Sequence, residues 1–292
     1  MTSPVHLTPL DPAYPSRLRG LAEAPAFLTT SGGPLEAEHV VAVVGSRAAT
    51  DDAAAFARDL ASTLARLGVV VASGGARGID GAAHRGALAA GGRTWAVAPT
   101  GHGRVFPEMH TELFDDIARG PGAMIWPFAP EYRHRSAFLS RNRVLVALAD
   151  VVVVVQAGFP SGAMGAAAGA LASGKALWVV PAPPWLDAFR GSRMLLERGA
   201  RPLLFVEAFL ASLGLATSTR APDRPITADR PLNQSEAAVL EGISAAPLHL
   251  DEIAVRSGLA AQAVAAALLT LSLENVVVEG PQGFFRRAMA AR

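Results

Sequence analysis

The chain has no cysteine and only one lysine, Lys175, among its 292 residues. Without cysteine there is no disulfide framework, no thiolate nucleophile and no cysteine-based zinc site. With one lysine, positive charge rests almost wholly on arginine, which binds phosphate bidentately and stacks on flat groups. GC-rich coding produces the same bias, and the many alanines fit that origin as well. Net charge is also scarce: 26 basic against 25 acidic side chains leave +1. Any polyanion must therefore be held by local patches and not by a global field. The longest apolar run, Val144 to Val155, is broken by Asp150 and falls short of the ~20 residues that span a bilayer. The opening MTSPVHLTPLDPAYP lacks the basic and apolar regions of a signal peptide, so the expected location is the cytoplasm.

Half the residues are apolar and 17% are charged, the profile of a folded chain. From His39 onward, short β-branched runs alternate with alanine-rich helical stretches. HVVAVVG, VVVAS, TWAVAP, AMIWPF, VVVVVQA and ALWVVPA read as buried strands. Between the first two runs a helix is expected from Thr50 to Leu67, with Thr50 as N-cap and Gly68 as its stop. Another helix carries Asp80 to Ala90. Apolar strands separated by helices predict a doubly wound, Rossmann-like parallel sheet covered on both faces. The expected domains are a lead-in at 1–39, a Rossmann-like domain at 40–213, a linker at 214–230 and a small winged-helix domain at 231–292. The last rests on three helical segments, QSEAAVLEGI, LDEIAVRSG and LAAQAVAAALLTLSLEN, followed by a hairpin around Pro281 and Gly283.

In such a sheet, ligands bind beyond the carboxyl ends of the strands, where helix N-termini leave backbone N–H groups free. Three turns at that edge carry suitable residues: Gly45-Ser46-Arg47, Ser73-Gly74-Gly75-Ala76-Arg77-Gly78-Ile79-Asp80, and Ser161-Gly162-Ala163. Tight strand-to-helix turns need glycine in any case. Three on one edge, two of them with arginine, point to an anion site. A fourth segment, RHRSAFLSRNR at 133–143, packs four arginines, a histidine and Phe138 into eleven positions of a neutral chain. It is expected just before a helix at Val144 to Ala149, where arginines oppose the helix dipole unless an anion is bound. Phe138 either offers a face for a stacked base or anchors the core while the arginines snorkel around it.

Several catalytic readings fail on their chemistry. Gly169 to Ala176 has P-loop spacing, but Ala176 replaces the magnesium-binding hydroxyl and the stretch runs from helix to strand, the reverse of a P-loop. Asp80 and His84 lie one helical turn apart without a third ligand, so no metal is expected. There is no nucleophile elbow, HExxH or GxGxxG after the first strand. The third helix of the tail, Ala260 to Glu274, lacks lysine and arginine, and Gln262 is nearly its only base-reading side chain. Six acidic and four basic residues lie from Leu232 onward, the basic ones including Arg286, Arg287 and Arg292. A DNA-reading winged helix needs a basic footprint, so the tail is expected to contact protein, with weak duplex contact through Arg286 and Arg287 at most.

GSR at 45–47, SGGARGIDGAAHRGAL at 73–88, FLSRNRVLVALADVVVVVQA at 138–157, SGA at 161–163 and GSRMLLERGA at 191–200 occur here in order. Together with the lead-in YPSRLRGLAEAPAFLTTSG, they make residues 14 to 206 resemble the DNA-processing protein A family, DprA or Smf. The resemblance implies a non-enzymatic protein without cofactor that binds single-stranded DNA, dimerises through the Rossmann-like domain and loads RecA recombinase during transformation and recombination. It implies Arg47 as the basic residue of the first pocket, and Ser73, Gly74, Gly75, Gly78 and Asp80 as the second loop. Arg141, Asn142 and Arg143 form the RNR motif, with Arg135 and Phe138 as basic and aromatic contacts upstream. Two departures concern the pocket's shape: Phe106-Pro107 stands for a tyrosine-proline element, and Gly165 and Ala166 stand where a threonine is usual. The 39 lead-in residues are too few for the extra N-terminal helical domain of some members. The rival reading is a nucleotide hydrolase on the same scaffold, with the glycine loops on one phosphate and Asp80 as its acid. The PGGxGTxxE-like motif of such enzymes is not matched by SGAMGAAAG.

Overall fold

The computed structural model describes residues 3–21, 23–132, 136–215, 230–244, 246–280 and 283–288. The chain divides into two compact units, Met1–Phe209 and Leu210–Arg292. Arg133, His134 and Arg135, the 216–229 part of the expected linker, and Pro281 and Arg292 lie outside the described residues.

The first unit is built on a nine-stranded sheet. Its parallel centre comprises β3 (Val40–Gly45), β4 (Val70–Ser73), β5 (Thr94–Val97), β6 (Ala123–Trp126), β7 (Val151–Gln156), β8 (Ala176–Val179) and β9 (Arg201–Pro202). The lead-in adds β1 (Val5–Leu7) and β2 (Leu28–Gly32), which pair antiparallel at the β6 edge. These two strands are not evident in the sequence, because LTTSG and VHL are short and carry no clear alternation. The order β1-β2-β6-β5-β4-β3-β7-β8-β9 runs outward from β3 in both directions. The switch point therefore lies between the carboxyl ends of β3 and β7, where an open α/β sheet forms its crevice.

Helices α1 (Ser16–Arg19), α2 (Asp51–Arg66), α3 (Ile79–Ala89), α4 (Thr111–Arg119), α5 (Ala137–Leu148), α6 (Gly162–Ala172), α7 (Arg190–Glu197) and α8 (Val206–Ser212) complete this unit and its exit. Strand side chains alternate between two faces. Val40, Ala42, Val44, Val152 and Val154 pack with α5 and α6, whereas Ala96 and Met124 pack with α4. Burial on both faces explains why the strands read as unbroken apolar runs. Thr50 does cap α2, its hydroxyl accepting from Ala53 N at 3.3 Å.

The helix foreseen at Val144 begins at Ala137, so Phe138, Arg141, Asn142 and Arg143 sit within α5 and not in a loop ahead of it. The lone lysine holds the other end of that helix. Lys175 Nζ donates to the carbonyls of Val146 and Ala147 at 2.8 Å, and also to Ala149. A cation is favourable at a helix C-terminus, and this gives the P-loop-like stretch a structural role.

The second unit holds α9 (Gln234–Gly242), α10 (Leu250–Ser257) and α11 (Ala261–Leu273) with β10 (Leu248–His249), β11 (Val277–Glu279) and β12 (Phe284–Arg287). The strands form a three-stranded antiparallel sheet in the order β10-β12-β11, the winged-helix arrangement. Its core is Val239, Leu240, Ile253, Val264, Leu268, Leu271 and Phe285. Arg230, expected at the end of the linker, is fixed to this unit. It donates to both carboxylate oxygens of Glu236 and to Glu274 at 2.7–2.8 Å, tying α9 to α11.

Candidate functional site

At the switch point lies a cavity of about 400 Å³, lined by the β3 loop, the N-terminal half of α5 and the start of α6. Local geometry brings these parts together. Gly78 has φ +73°, and a Cβ there would run into the Ser46 carbonyl. Only glycine lets the second loop lie against the first, and Ile79 N then donates to Ser46 O at 3.2 Å. Ser46 N donates to Gln156 O at 2.7 Å, joining the loop after β3 to the end of β7.

Helices α2, α3, α5 and α6 start around this cavity, and the first turns of α5 and α6 carry no carboxylate. Asp51 and Asp52 occupy the first turn of α2, and Asp80 that of α3. Helix α6 has no acidic residue in its first turn, and its N-cap Ser161 makes no capping bond. The Ser161 hydroxyl is buried without a hydrogen-bond partner. A helix N-terminus left in this state attracts an anion.

Arg141 supplies the charge. It is 5% exposed, and its Nε and Nη1 are buried without partners. Its guanidinium lies over Gly74, where a Cβ would overlap it. Burial pulls Arg141 down to about 10, opposed by Asp80 and assisted by Arg47, so it remains charged at neutral pH. Asp80, also buried, lies close enough to attract it. Burial pushes its carboxyl above the usual range, against the pull of Arg141 and of backbone N–H groups including Ala76 N at 3.3 Å. A buried cation with unused donors, beside a free helix N-terminus, is built to receive a phosphate or another anion.

The exposed Arg47 guanidinium stands 4.9 Å from the centre of the Phe138 ring, a cation–π contact. Phe106 meets the same ring edge-on at 5.6 Å. Phe138 therefore both lines the cavity and holds Arg47. Phe138→Ala is expected to weaken the binding of a labelled polyanion and flatten its salt dependence, both measurable by fluorescence anisotropy. The double variant with Arg47→Ala should lose less than the sum of the two. Additive losses with an unchanged salt slope for Phe138→Ala would mean the ring acts alone.

Of the residues singled out in the sequence, Gly45, Ser46, Arg47, Asp80, Phe138, Arg141, Asn142, Ser161 and Gly162 line the cavity. Ser73, Gly74, Gly75, Gly78, Arg77 and Arg143 do not. Ser73 donates to Val43 O at 2.6 Å, Gly74 and Gly78 provide close approaches, and Gly75 turns against Phe114 with φ +70°. Arg77 is exposed outside the lining. Arg143 pairs with Glu23 of the lead-in. Asn142 Nδ2 donates to Gly162 O at 3.2 Å, linking α5 to α6. Arg135 lies outside the described residues. The sequence reading missed Val44, Ala48 and Pro160 in the wall, whereas Ala163 lines it as part of the third turn. Ala166, known from the sequence only as a departure, also lines it. His84 bonds Thr94 Oγ1 through Nδ1 at 2.7 Å, inside the fold and not at a ligand.

The fold and cavity define a Rossmann-like unit with a buried arginine at its switch point, followed by a winged helix. Residues 5–214 match the family model for DNA recombination-mediator protein A, and residues 222–283 match the DprA winged helix domain. The chain belongs to this DprA/Smf family. It is 37% identical over 268 residues to the DNA processing protein DprA of Mycobacterium tuberculosis, covering 89% of this chain and 68% of that protein. Among solved structures it is similar to DprA from Streptococcus pneumoniae, with a TM-score of 0.67 and 30% identity over 71% of this chain and 73% of that one. It is similar too to DNA processing protein A from Helicobacter pylori, a structure described for its single-stranded DNA binding mode. That match has a TM-score of 0.66 and 29% identity, over 73% of this chain and 96% of that one.

Proposed function

We propose that this chain is a non-enzymatic, sequence-tolerant single-stranded DNA binder whose phosphate site is the cavity between β3 and β7. It acts in the cytoplasm as a homodimer through its Rossmann-like unit, protects the strand and passes it to RecA recombinase. The observation that carries the reading is Arg141: a buried cation with unused donors, facing the uncapped start of α6. Membership of a DNA-processing family and the single-strand binding of the Helicobacter pylori relative support the choice of anion.

Affinity comes from phosphate contacts at Arg141 and Arg47 and at the α6 N-terminus, with Arg135 and Arg143 assigned by sequence to the rim. Gly74, Gly75, Gly78 and Ser73 act from behind, by placing the loops. Asp80 is bound to backbone N–H groups and shielded from water, which suits a buried anchor better than a hydrolytic acid. Anisotropy with oligo-dT, duplex DNA and AMP at two salt concentrations separates the alternatives. The proposal expects salt-sensitive binding of oligo-dT well above the other two, whereas preferential binding and turnover of AMP would establish a nucleotide hydrolase.

The tail plays a different part. Helix α11 presents Gln262, Ala265, Ala266, Leu269 and Leu273 to solvent, with no basic side chain between Ala261 and Leu273. Arg286 is exposed on β12 and is its clearest point for duplex contact. Deleting residues 220–292 is expected to leave oligo-dT affinity within about threefold of the full chain, an effect below ~1 kcal/mol. Near-complete loss of binding by the shortened chain would assign the strand to the tail.

A further inference from the structure

We infer that Trp185 is a second nucleobase-stacking platform, which extends the single-strand site from the cavity across the carboxyl ends of β7 and β8. The inference rests on the proposed function and deepens it. Trp185 is 77% exposed, whereas Trp95 is fully buried and the rings of Trp126 and Trp178 pack edge-on against His102 and Phe209. An indole left this open in a folded protein forgoes the burial that usually stabilises it.

Its mounting is rigid. Trp185 follows Pro183 and Pro184, whose rings restrict the backbone. Leu186 N donates to Pro183 O at 3.2 Å, closing the turn. Arg193 of α7 then spans that turn, donating from Nη1 to Pro183 O at 3.1 Å and to Leu186 O at 2.9 Å. A partly buried arginine spent on fixing an exposed tryptophan turn sets the ring in place before any ligand arrives, which lowers the entropic cost of binding.

The turn is also joined to the cavity wall. Ser192 N donates to Ala157 O at 3.0 Å, and Ala157 N donates to Ser192 Oγ at 2.9 Å. Gln156 Nε2 reaches Ala188 O at 3.5 Å. The loop thus tied down continues through Phe159, itself 52% exposed, into Pro160 and Ser161 of the cavity. From cavity to turn the surface offers Phe159, Trp185 and the exposed Arg190, two π faces and one cation. This chemistry suits successive bases of one strand, because every base has a face that stacks and the backbone between them is anionic. A purely apolar protein partner has no use for Arg190, and a duplex hides its bases.

The test uses the full chain and oligo-dT of about 4 and about 16 nucleotides, the span over which single-strand sites range. Trp185→Ala is expected to weaken the longer oligonucleotide about 5- to 100-fold, with an unchanged salt slope, and to leave the shorter one unaffected. Trp185→Phe should restore most of the loss, and the longer oligonucleotide should quench fluorescence in the wild type more than in Trp185→Phe. Equal affinities of wild type and Trp185→Ala for the longer strand overturn the inference while leaving the cavity reading in place. A changed oligomeric state by light scattering, with unchanged affinity per protomer, overturns it in favour of a second copy as the partner. Failure of the wild type to bind either length overturns this inference and the proposed function together.

Discussion

Arg141→Met is expected to cost about 10- to 100-fold in oligo-dT affinity while leaving the protein as stable as the wild type or more so. The two effects share one cause. In the free protein the guanidinium is buried, and its Nε and Nη1 find no acceptor. Burying a charge whose donors lack acceptors costs stability, and an apolar side chain of similar length removes that cost. When a phosphate enters, those donors gain charge-assisted bonds worth about 1.5–3 kcal/mol each, which the methionine cannot make. Gly74→Ala offers an independent approach, since a Cβ at Gly74 occupies the space of the guanidinium. It should lower affinity in the wild type and have little further effect on Arg141→Met. Chemical denaturation read alongside anisotropy decides the matter: a destabilised Arg141→Met that still binds normally would make Arg141 a structural residue.

The second large effect is on stability in acid. His84 is fully buried, with Nδ1 on Thr94 Oγ1 and Nε2 without a partner. Burial holds it down at about 3, with the neighbouring His110, Arg141 and Arg85 adding to the shift. The folded state thus keeps this imidazole neutral, whereas the unfolded chain takes up a proton near pH 6.5. The resulting stability is fully present above about pH 6.5 and is lost progressively as pH falls towards 3. At one pH unit per ~1.4 kcal/mol, the loss is about 2 kcal/mol by pH 5. His110, also lowered by burial, acts in the same sense. Asp80 acts in the opposite sense, because its raised carboxyl favours the folded state at low pH. Urea unfolding between pH 7.5 and 4.5 should show the fall, and His84→Gln should flatten it. An equal slope in the variant would assign acid sensitivity to other groups.

Much of this could be read in the sequence. Strands β3 to β8 were visible because burial on both faces leaves continuous apolar runs, whereas the exposed two-residue β9 was not. Thr50 and Gly68 marked the ends of α2 by their capping and turn chemistry. The lead-in strands were missed because strands of three and five residues, one of them at the sheet edge, carry little local pattern. The most instructive difference concerns RHRSAFLSRNR. As a loop, it would let every arginine face one ligand. As a helix from Ala137, it puts Phe138, Arg141 and Asn142 at i, i+3 and i+4 on one face and turns Arg143 about 200° from Arg141. Arg143 consequently pairs with Glu23, while Arg141 enters the cavity. The helical start was obscured because arginine and serine there carry no apolar period. That Arg141 is buried with Nε and Nη1 unused, and that Asp80 is buried against backbone N–H groups, follows from tertiary packing that no local pattern encodes.

The proposed role of the cavity between β3 and β7, binding the phosphates of a single strand, is tested by the salt dependence of oligo-dT anisotropy for the wild type and Arg47→Ala. Losing one phosphate contact on a single strand should make the slope of log K against log salt shallower by about 0.7, together with a lower affinity. Arg47→Ala with the affinity and slope of the wild type would contradict the claim.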